Sequence, residues 1–408
     1  MNGEPDTRRA HHAASVDSTA SAGSANVAVV KTRSTSFDNH ESNVPAVTDW
    51  IHTWSPPPYQ PIAWIGRSAL SGHAHTLLPV VGSRSSSAQL SQTTRHLVPV
   101  SDGDEIVLHH DAPGWSNQHD TAADPAVMLV HGLCGCHAAD YIKRFAVELH
   151  QLGIHTYRLD MRGCGASATT CRTITHAGRS PDIIAALGKV AEEHRQGPLG
   201  VVGVSLGGNQ TLRALGRVGS GQVSPPGWWP RLSGVIAIAP PIDLQRCSDA
   251  MEAKRLRFYN HYFIRHLLKR IPPGLAANPA FEKAIGGPRP RTLRQFDRRF
   301  TAPLAGYVHE RAYYEDASAM HWLDSIERST LIVAAHDDPL VPSSMFQDRE
   351  SSLSASTRLL LVERGGHNGF LQRGRRAWTD DLVGSFFRVA CDCGKTLSGA
   401  ESSRVRPT

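Results

Sequence analysis

The stretch that decides the fold reads Leu199-Gly200-Val201-Val202-Gly203-Val204-Ser205-Leu206-Gly207. Its first six residues form an unpunctuated apolar run, which is typical of a strand buried on both faces, and a helical pattern follows directly. A serine at such a strand-to-helix turn adopts strained backbone angles, and the residues two positions away must be small. Its hydroxyl then projects above the sheet edge, beside helix N–H groups that favour negative charge. The turn therefore predicts that Ser205 is a nucleophile.

Outward from this turn, apolar runs and helical patterns alternate along the chain. Strands are predicted at 127–130, 155–159, 199–204, 232–239, 330–335 and 358–362, and helices at 141–152, 183–194, 207–215 and 378–389. A hairpin is predicted upstream, where two β-prone runs flank Asp102-Gly103. The alternation predicts an α/β fold with a mostly parallel central sheet and helices on both faces.

The 408 residues divide by composition into four parts. We expect a disordered polar tail at 1–48, a catalytic core at 49–240 and 323–392, an inserted helical cap at 241–322, and a flexible tail at 393–408. The cap carries an amphipathic stretch at 258–271. Between Asp243 and Asp316 stand 14 Lys and Arg and 8 Asp and Glu, an excess equal to the net charge of +6 of the whole chain. This charge is either a solvated helical surface or a basic collar that attracts anionic substrates or lipid head groups.

A serine hydroxyl needs a base that is itself oriented by an acid, and in this architecture they follow in the order Ser, Asp or Glu, His. Asp338 lies in the turn after the strand predicted at 330–335, and His367 lies in a Gly-rich loop after the last predicted strand. Asp337 competes with Asp338, and we expect it to hydrogen-bond the loop instead. The predicted triad is Ser205, Asp338 and His367.

An oxyanion hole requires two N–H donors near the serine. One is predicted to be the backbone N–H of Leu206, the residue after the nucleophile. The other is assigned to the backbone N–H of Leu133, in the turn-rich loop after the strand predicted at 127–130. His131 is expected to make structural hydrogen bonds beneath that loop.

Other residues are expected near the pocket. Trp228, Trp229 and Tyr262 are predicted to shape its acyl-binding part together with the cap. Cys134 and Cys136 flank the oxyanion loop. They are either small buried residues or thiols that make the protein sensitive to thiol reagents.

Several motifs occur together in a fixed order. They are His73-Ala74-His75-Thr76-Leu77-Leu78-Pro79, His131-Gly132-Leu133, Asp160-Met161-Arg162-Gly163-Cys164-Gly165, Gly203-Val204-Ser205-Leu206-Gly207-Gly208-Asn209, Asp337-Asp338-Pro339 and Gly366-His367-Asn368-Gly369. Over about residues 60–390 the chain resembles the YheT-like branch of the α/β-hydrolase superfamily. The resemblance implies that Ser205, Asp338 and His367 act as nucleophile, acid and base. It also implies hydrolysis of carboxylic esters, with short-chain esters or acylglycerols as substrates.

Composition limits the remaining possibilities. The mild positive charge does not support nucleic-acid binding, and no run approaches the roughly 18 apolar residues of a membrane span. Seven cysteines, with two Cys-x-Cys pairs too tight for zinc, indicate reduced thiols, a cytoplasmic location and no metal or cofactor. The expected partner is a small-molecule ester, with peripheral lipid contact through the cap as an option and no indication of oligomeric state. An acyltransferase, a lyase, a cofactor-free haloperoxidase and a non-catalytic ligand-binding relative remain alternatives.

Overall fold

A single sheet organises the part of the chain that the computed structural model describes, namely residues 50–62, 70–81, 90, 93–114, 121–272, 274–275, 279–373 and 377–402. The tail predicted at 1–48 lies outside these residues. Within them the sheet has eight strands: β1 (Thr93–Pro99), β2 (Glu105–Asp111), β3 (Ala126–Val130), β4 (His155–Asp160), β5 (Leu199–Val204), β6 (Leu232–Ile238), β7 (Thr330–Ala335) and β8 (Thr357–Val362).

The strand order across the sheet is β1-β2-β4-β3-β5-β6-β7-β8. β1 and β2 form the predicted hairpin, and β2 also runs antiparallel to β4. Every other neighbouring pair is parallel. The predicted α/β class with a mostly parallel sheet is therefore confirmed. Because neighbouring parallel strands have their carboxyl ends on the same side of the sheet, the loops after β3, β5, β7 and β8 meet there.

Helices follow most strands. They are α1 (Trp50–Thr53), α2 (Ser71–Val81), α3 (Asp140–His150), α4 (Ser180–Glu193), α5 (Leu206–Gly219), α6 (Leu244–Met251), α7 (Arg257–Lys269), α8 (Pro279–Ile285), α9 (Leu293–Phe296), α10 (Ala302–Leu304), α11 (Glu310–Ala317), α12 (Ser344–Gln347) and α13 (Trp378–Ser402). Among the described residues, no helix is both long enough and apolar enough to cross a membrane.

The core lies in two layers, one on each face of the sheet. Successive strand side chains point to opposite faces, so Val127 and Leu129 of β3 face one layer while Met128 and Val130 face the other. The first layer contains apolar residues of α3 and α13, and the second contains those of α4 and α5. Helices thus cover both faces, which explains why the strands are apolar throughout.

The closing helix is longer than the sequence predicted. The pattern placed its end at Val389, and this is wrong, because α13 continues to Ser402. Ala390 and Cys391 are still buried against the sheet, so tertiary packing maintains the helix beyond the last clear apolar repeat. The helix therefore enters the segment 393–408 that was predicted as a flexible tail.

Helices α6 to α11 all lie between β6 and β7. Helix α7 corresponds to the amphipathic stretch predicted at 258–271. Ile264, Ala284, Phe296 and Phe300 form a small apolar cluster of their own within this segment. The division of the chain into core, cap and tails stays a prediction.

Candidate active site

Ser205 occupies the turn between β5 and α5. Its φ of 52° and ψ of −117° lie in a region that side chains rarely adopt, as expected for a serine at a sharp turn. The turn also needs a small residue at Gly203, where a Cβ would lie 2.7 Å from the carbonyl oxygen of Gly207. The local sequence thus holds the Ser205 hydroxyl at the edge where the parallel strands end.

The three residues predicted as a triad form one hydrogen-bonded path. Ser205 Oγ lies 2.9 Å from His367 Nε2, and His367 Nδ1 lies 2.9 Å from Asp338 Oδ2. The other oxygen of Asp338 accepts the N–H groups of Leu340 at 2.8 Å and Val341 at 3.0 Å. When Nδ1–H donates to Asp338, Nε2 presents its lone pair to the serine hydroxyl. The arrangement can remove a proton from Ser205.

Asp337 has a separate set of partners. Its Oδ1 accepts the N–H groups of Gly365 and Gly366, each at 2.8 Å, and its Oδ2 accepts the hydroxyl of Ser71 at 2.9 Å. Asp337 therefore holds the loop that carries His367, as the sequence analysis expected.

Helix α2 supports the same loop, and sequence reasoning missed this. The backbone N–H of His367 donates to Thr76 Oγ1 at 2.9 Å, while the Thr76 hydroxyl donates to the Gly72 carbonyl at 2.6 Å. His75 Nδ1 accepts the N–H of Leu371 at 3.1 Å. The motif at 73–79 was a usable signal, because its His75 and Thr76 contact the loop.

The loop after β3 lies against Ser205, where an oxyanion would form. A Cβ on Gly132 would be 3.1 Å from Ser205 Cβ. The Gly132 N–H donates to the Tyr141 hydroxyl at 2.9 Å, so the next N–H along the loop is that of Leu133. Leu206 is the first residue of α5, and its N–H has no acceptor within the helix. Leu133 and Leu206 line the same cavity as Ser205.

His131 has a structural role beneath this loop. Its Nε2 accepts the N–H of Met161 at 3.3 Å, and its Nδ1–H donates to the Gly132 carbonyl at 2.8 Å. Burial lowers the pKa of His131 to about 4, so the ring is neutral at pH 7. Both ring nitrogens are engaged by backbone groups, in agreement with the sequence interpretation.

The far end of the oxyanion loop is fixed to Asp160, at the end of β4. Asp160 accepts hydrogen bonds from the N–H and Nδ1 of His137, both at 2.7 Å, and from His109 Nε2 at 2.9 Å and the Ala166 N–H at 2.8 Å. Burial raises the pKa of Asp160, but these hydrogen bonds outweigh it and hold the pKa well below its usual range. Asp160 is thus an ionised anchor for the loop.

A cavity of about 160 Å³ opens beside Ser205 and His367. Its wall is mainly apolar and includes Leu133, Met251, Phe263, Leu267, Leu293 and Phe296. Cys134 also lines it, and burial raises the pKa of this thiol to about 12, which makes the thiolate scarce at neutral pH.

Three aromatic residues predicted to shape this cavity do not line it. Trp228 and Trp229 precede β6, at the amino ends of the parallel strands, whereas Ser205 lies at their carboxyl ends. Trp229 packs into the core. Tyr262 is 44% exposed on the surface of α7. Its neighbour Phe263 lines the cavity instead.

One carboxyl group in the cavity wall was also missed. Asp297 accepts the hydroxyl of Thr301 at 2.7 Å and that of Tyr314 at 2.9 Å. Burial raises the pKa of Asp297 to about 6. The wall of the cavity is therefore polar at this point.

Two groups of side chains within the described residues have the composition of a metal site. One is His109, His137 and Asp160, and the other is His110, His155 and His194. Neither contains Ser205 or His367. In the first group, the His109 and His137 ring nitrogens that face Asp160 carry protons and donate them to its carboxylate. Neither of these nitrogens therefore has a lone pair that could bind a metal ion.

Comparisons with known proteins agree with the fold. The alpha/beta hydrolase fold family matches residues 125–374. YheT of Escherichia coli strain K12 is 29% identical over 278 residues, which cover 66% of this chain and 76% of YheT. The medium-chain fatty acid ethyl ester synthase/esterase 2 of Saccharomyces cerevisiae is 28% identical over 293 residues, 64% of this chain and 62% of that protein.

A second yeast protein, monoacylglycerol lipase, is 26% identical over 279 residues, which cover 66% of this chain and 60% of the lipase. The chain thus spans somewhat less than two thirds of the two yeast proteins. The family match covers more than half of the chain, and the resemblance to YheT that the motifs indicated is confirmed. The chain belongs to the alpha/beta hydrolase fold family.

Proposed function

We propose that this protein is a serine hydrolase that cleaves carboxylic esters through an acyl-enzyme on Ser205. The observation that carries the proposal is the path from Ser205 Oγ through His367 to Asp338, with 2.9 Å at each step, beside an apolar cavity. Relatives named as esterases and lipases support ester hydrolysis as the general class of reaction.

In the first half of the reaction, Ser205 Oγ attacks the ester carbonyl while His367 Nε2 takes the hydroxyl proton. Asp338 keeps the proton of His367 on Nδ1 and stabilises the imidazolium. The backbone N–H groups of Leu133 and Leu206 bind the negative oxygen of the tetrahedral intermediate. His367 then returns its proton to the alcohol oxygen, the carbon–oxygen bond breaks, and the acyl group remains on Ser205.

In the second half, water replaces the alcohol. His367 Nε2 takes a proton from the water molecule, whose oxygen attacks the acyl carbonyl and forms a second tetrahedral intermediate. Its collapse transfers the proton from His367 to Ser205 Oγ and releases the carboxylic acid.

The apolar wall around Phe263 and Leu267 suits an aliphatic acyl chain. We therefore take short-chain esters or acylglycerols as the substrate class, and the yeast monoacylglycerol lipase supports the second. All seven cysteines are free thiols, which agrees with a reducing compartment and with the proposed cytoplasmic location.

Transfer of the acyl group to an alcohol is the second candidate, favoured by the relative named an ester synthase and esterase. It needs the same residues and differs only in the acceptor. Product analysis with increasing ethanol separates the two: a hydrolase keeps forming the acid, and an acyltransferase shifts to the ethyl ester.

The proposal is tested by the turnover of an aryl ester. Replacing Ser205 with alanine is expected to lower kcat by roughly 10⁴–10⁶-fold, because the nucleophile is lost, without changing the unfolding temperature. A Ser205→Ala protein with near-normal turnover would overturn the proposal.

A further inference from the structure

Asp297 is the one acidic residue, within the part of the chain that the structure describes, in the wall of the cavity beside Ser205. It begins the stretch Asp297–Thr301, which forms a single π-helical turn in the segment between β6 and β7. Such turns are rare and occur frequently at functional sites. Asp297 is only partly accessible, and it lines the cavity. The inserted segment therefore places a carboxyl group in a wall that is otherwise mainly apolar.

A chain of hydrogen bonds ends on this carboxyl group. Arg294 Nε donates to Ser248 Oγ at 2.9 Å, and the Ser248 hydroxyl donates to the Tyr314 hydroxyl oxygen at 3.2 Å. The Tyr314 hydroxyl in turn donates to Asp297 Oδ2 at 2.9 Å, and the Thr301 hydroxyl donates to Asp297 Oδ1 at 2.7 Å. Asp297 thus accepts a proton from each neighbour and donates none.

The carboxylate of Asp297 keeps unused capacity as an acceptor. A carboxylate offers about four lone-pair sites, and the hydroxyls of Thr301 and Tyr314 occupy two of them. Among the described residues, no backbone N–H and no cationic side chain bonds to it in addition. Burial, the largest cause, raises the pKa of Asp297 to about 6, so most of the group is still ionised at pH 7. A further donor that enters the cavity would stabilise this charge.

The donor that fits this cavity is neutral. Arg270 also lines the cavity, and its guanidinium donates to the backbone carbonyl of Gly135 at 2.6 Å, a contact that does not neutralise its positive charge. An ammonium group in the same cavity would be repelled by this charge. A hydroxyl group donates to Asp297 without adding charge, and the carbon atoms that carry it pack against the apolar wall around Phe296.

We propose that Asp297 forms a subsite that accepts a hydrogen bond from a hydroxyl group of the bound ester. This inference rests on the proposed ester hydrolysis and narrows its substrate class to esters that carry a free hydroxyl. The hydroxyl belongs either to the alcohol part, as in an acylglycerol, or to the acyl chain, as in the ester of a hydroxy acid. A simple alkyl ester has no such donor and leaves the remaining acceptor sites of Asp297 unfilled.

The test compares kcat/KM for three esters of similar size, namely propyl butyrate, 1-butyrylglycerol and propyl 3-hydroxybutyrate. The second ester adds hydroxyls to the alcohol part of the first, and the third adds one to its acyl part. We expect the wild type to prefer at least one hydroxylated ester by about 10-fold or more, because a hydrogen bond to a carboxylate is a strong one. The preferred ester identifies the part that carries the hydroxyl.

Asp297→Asn keeps the size of the side chain but loses its charge and one of its two acceptor oxygens. We expect the preference for the hydroxylated ester to fall about 10-fold in this variant. Asp249→Asn is the matched control, since the Asp249 side chain is 55% exposed and does not line the cavity. It should keep the wild-type preference. Circular dichroism checks that both variants fold.

The inference is overturned if the wild type hydrolyses propyl butyrate as well as it hydrolyses both hydroxylated esters, or if folded Asp297→Asn retains the preference. Either result leaves the proposed hydrolysis intact. A wild type that hydrolyses none of the three esters contradicts the proposed function as well. The comparison of esters on the wild type needs no variant, so it can overturn the inference even where Asp297→Asn does not fold.

Discussion

Asp337 and Asp338 are adjacent in sequence, yet their carboxylates hold different parts of the site. Asp337 accepts two N–H groups of the loop before His367, at 2.8 Å each. Asp338 Oδ2 accepts the Nδ1–H of the His367 ring itself, at 2.9 Å. One aspartate therefore positions the loop, while the other orients the base.

These different roles predict different losses of kcat when each aspartate is replaced. Asp338→Asn is expected to lower kcat about 10⁴-fold, because an amide at this position favours the wrong tautomer of His367. Asp337→Asn serves as the matched control, since it leaves the His367–Asp338 bond intact and is expected to lower the unfolding temperature with a smaller loss of kcat. A greater loss of kcat in Asp337→Asn would reverse the assignment.

Tyr141 is predicted to position the oxyanion loop. Tyr141→Phe leaves the Gly132 N–H without its acceptor beside Ser205, at a cost of about 1–3 kcal/mol. We expect kcat to fall more than KM changes, because the neighbouring Leu133 N–H acts mainly on the transition state. Tyr262→Phe is the control, since Tyr262 is 44% exposed. Equal kcat values in the two variants would contradict a positioning role.

Asp297 makes the free energy of unfolding depend on pH. Its pKa rises from 3.8 to about 6 on folding, so the folded protein binds the proton where the unfolded chain is ionised. The stability that this carboxyl contributes is present below pH 3.8 and is lost as the pH rises to about 6. Above that, the loss is about 3 kcal/mol.

Replacing Asp297 with asparagine removes this titration. The stability of Asp297→Asn relative to the wild type should therefore rise by about 2 kcal/mol between about pH 4 and about pH 7. Urea unfolding across this range measures the difference. A difference that stays constant with pH would show that Asp297 ionises normally in the folded protein.

Part of the basic charge of the inserted segment lines one surface groove, which contains Arg257, Arg289, Arg291 and Arg298. If this groove attracts anionic substrates, kcat/KM for an anionic ester should fall several-fold between about 20 and about 200 mM salt, with little change for a neutral ester. Arg289→Glu should reduce this difference, and Lys189→Glu on α4 should not. If kcat/KM depends on salt in the same way for the two esters, the groove does not attract the substrate and is only a solvated surface.

Much of the fold and site could be predicted because the signals are local. Apolar runs bounded by turns located the strands, and the strand-to-helix turn identified Ser205. The order of elements pointed to the pair Asp337-Asp338 and to His367, because parallel strands bring their ends together, and the preference for Asp338 over Asp337 came from the prolines that follow it.

Contacts between distant segments could not be predicted in this way. Thr76 contacts the backbone of His367 across 291 positions, and no local pattern records such a pairing. The cluster of His110, His155 and His194 depends on the register of β2 against β4. Trp228 and Trp229 were misassigned because an aromatic pair suits a pocket and a core equally well by sequence.

The central claim is that Ser205 becomes covalently acylated. The most direct measurement is the mass of the protein and of its peptides. It is made after reaction with a fluorophosphonate and, separately, after a reaction with an aryl ester that is rapidly quenched. We predict one adduct per chain, on the peptide that contains Ser205, and none in Ser205→Ala. An unlabelled but folded wild type, or an adduct that persists in Ser205→Ala, would contradict the account.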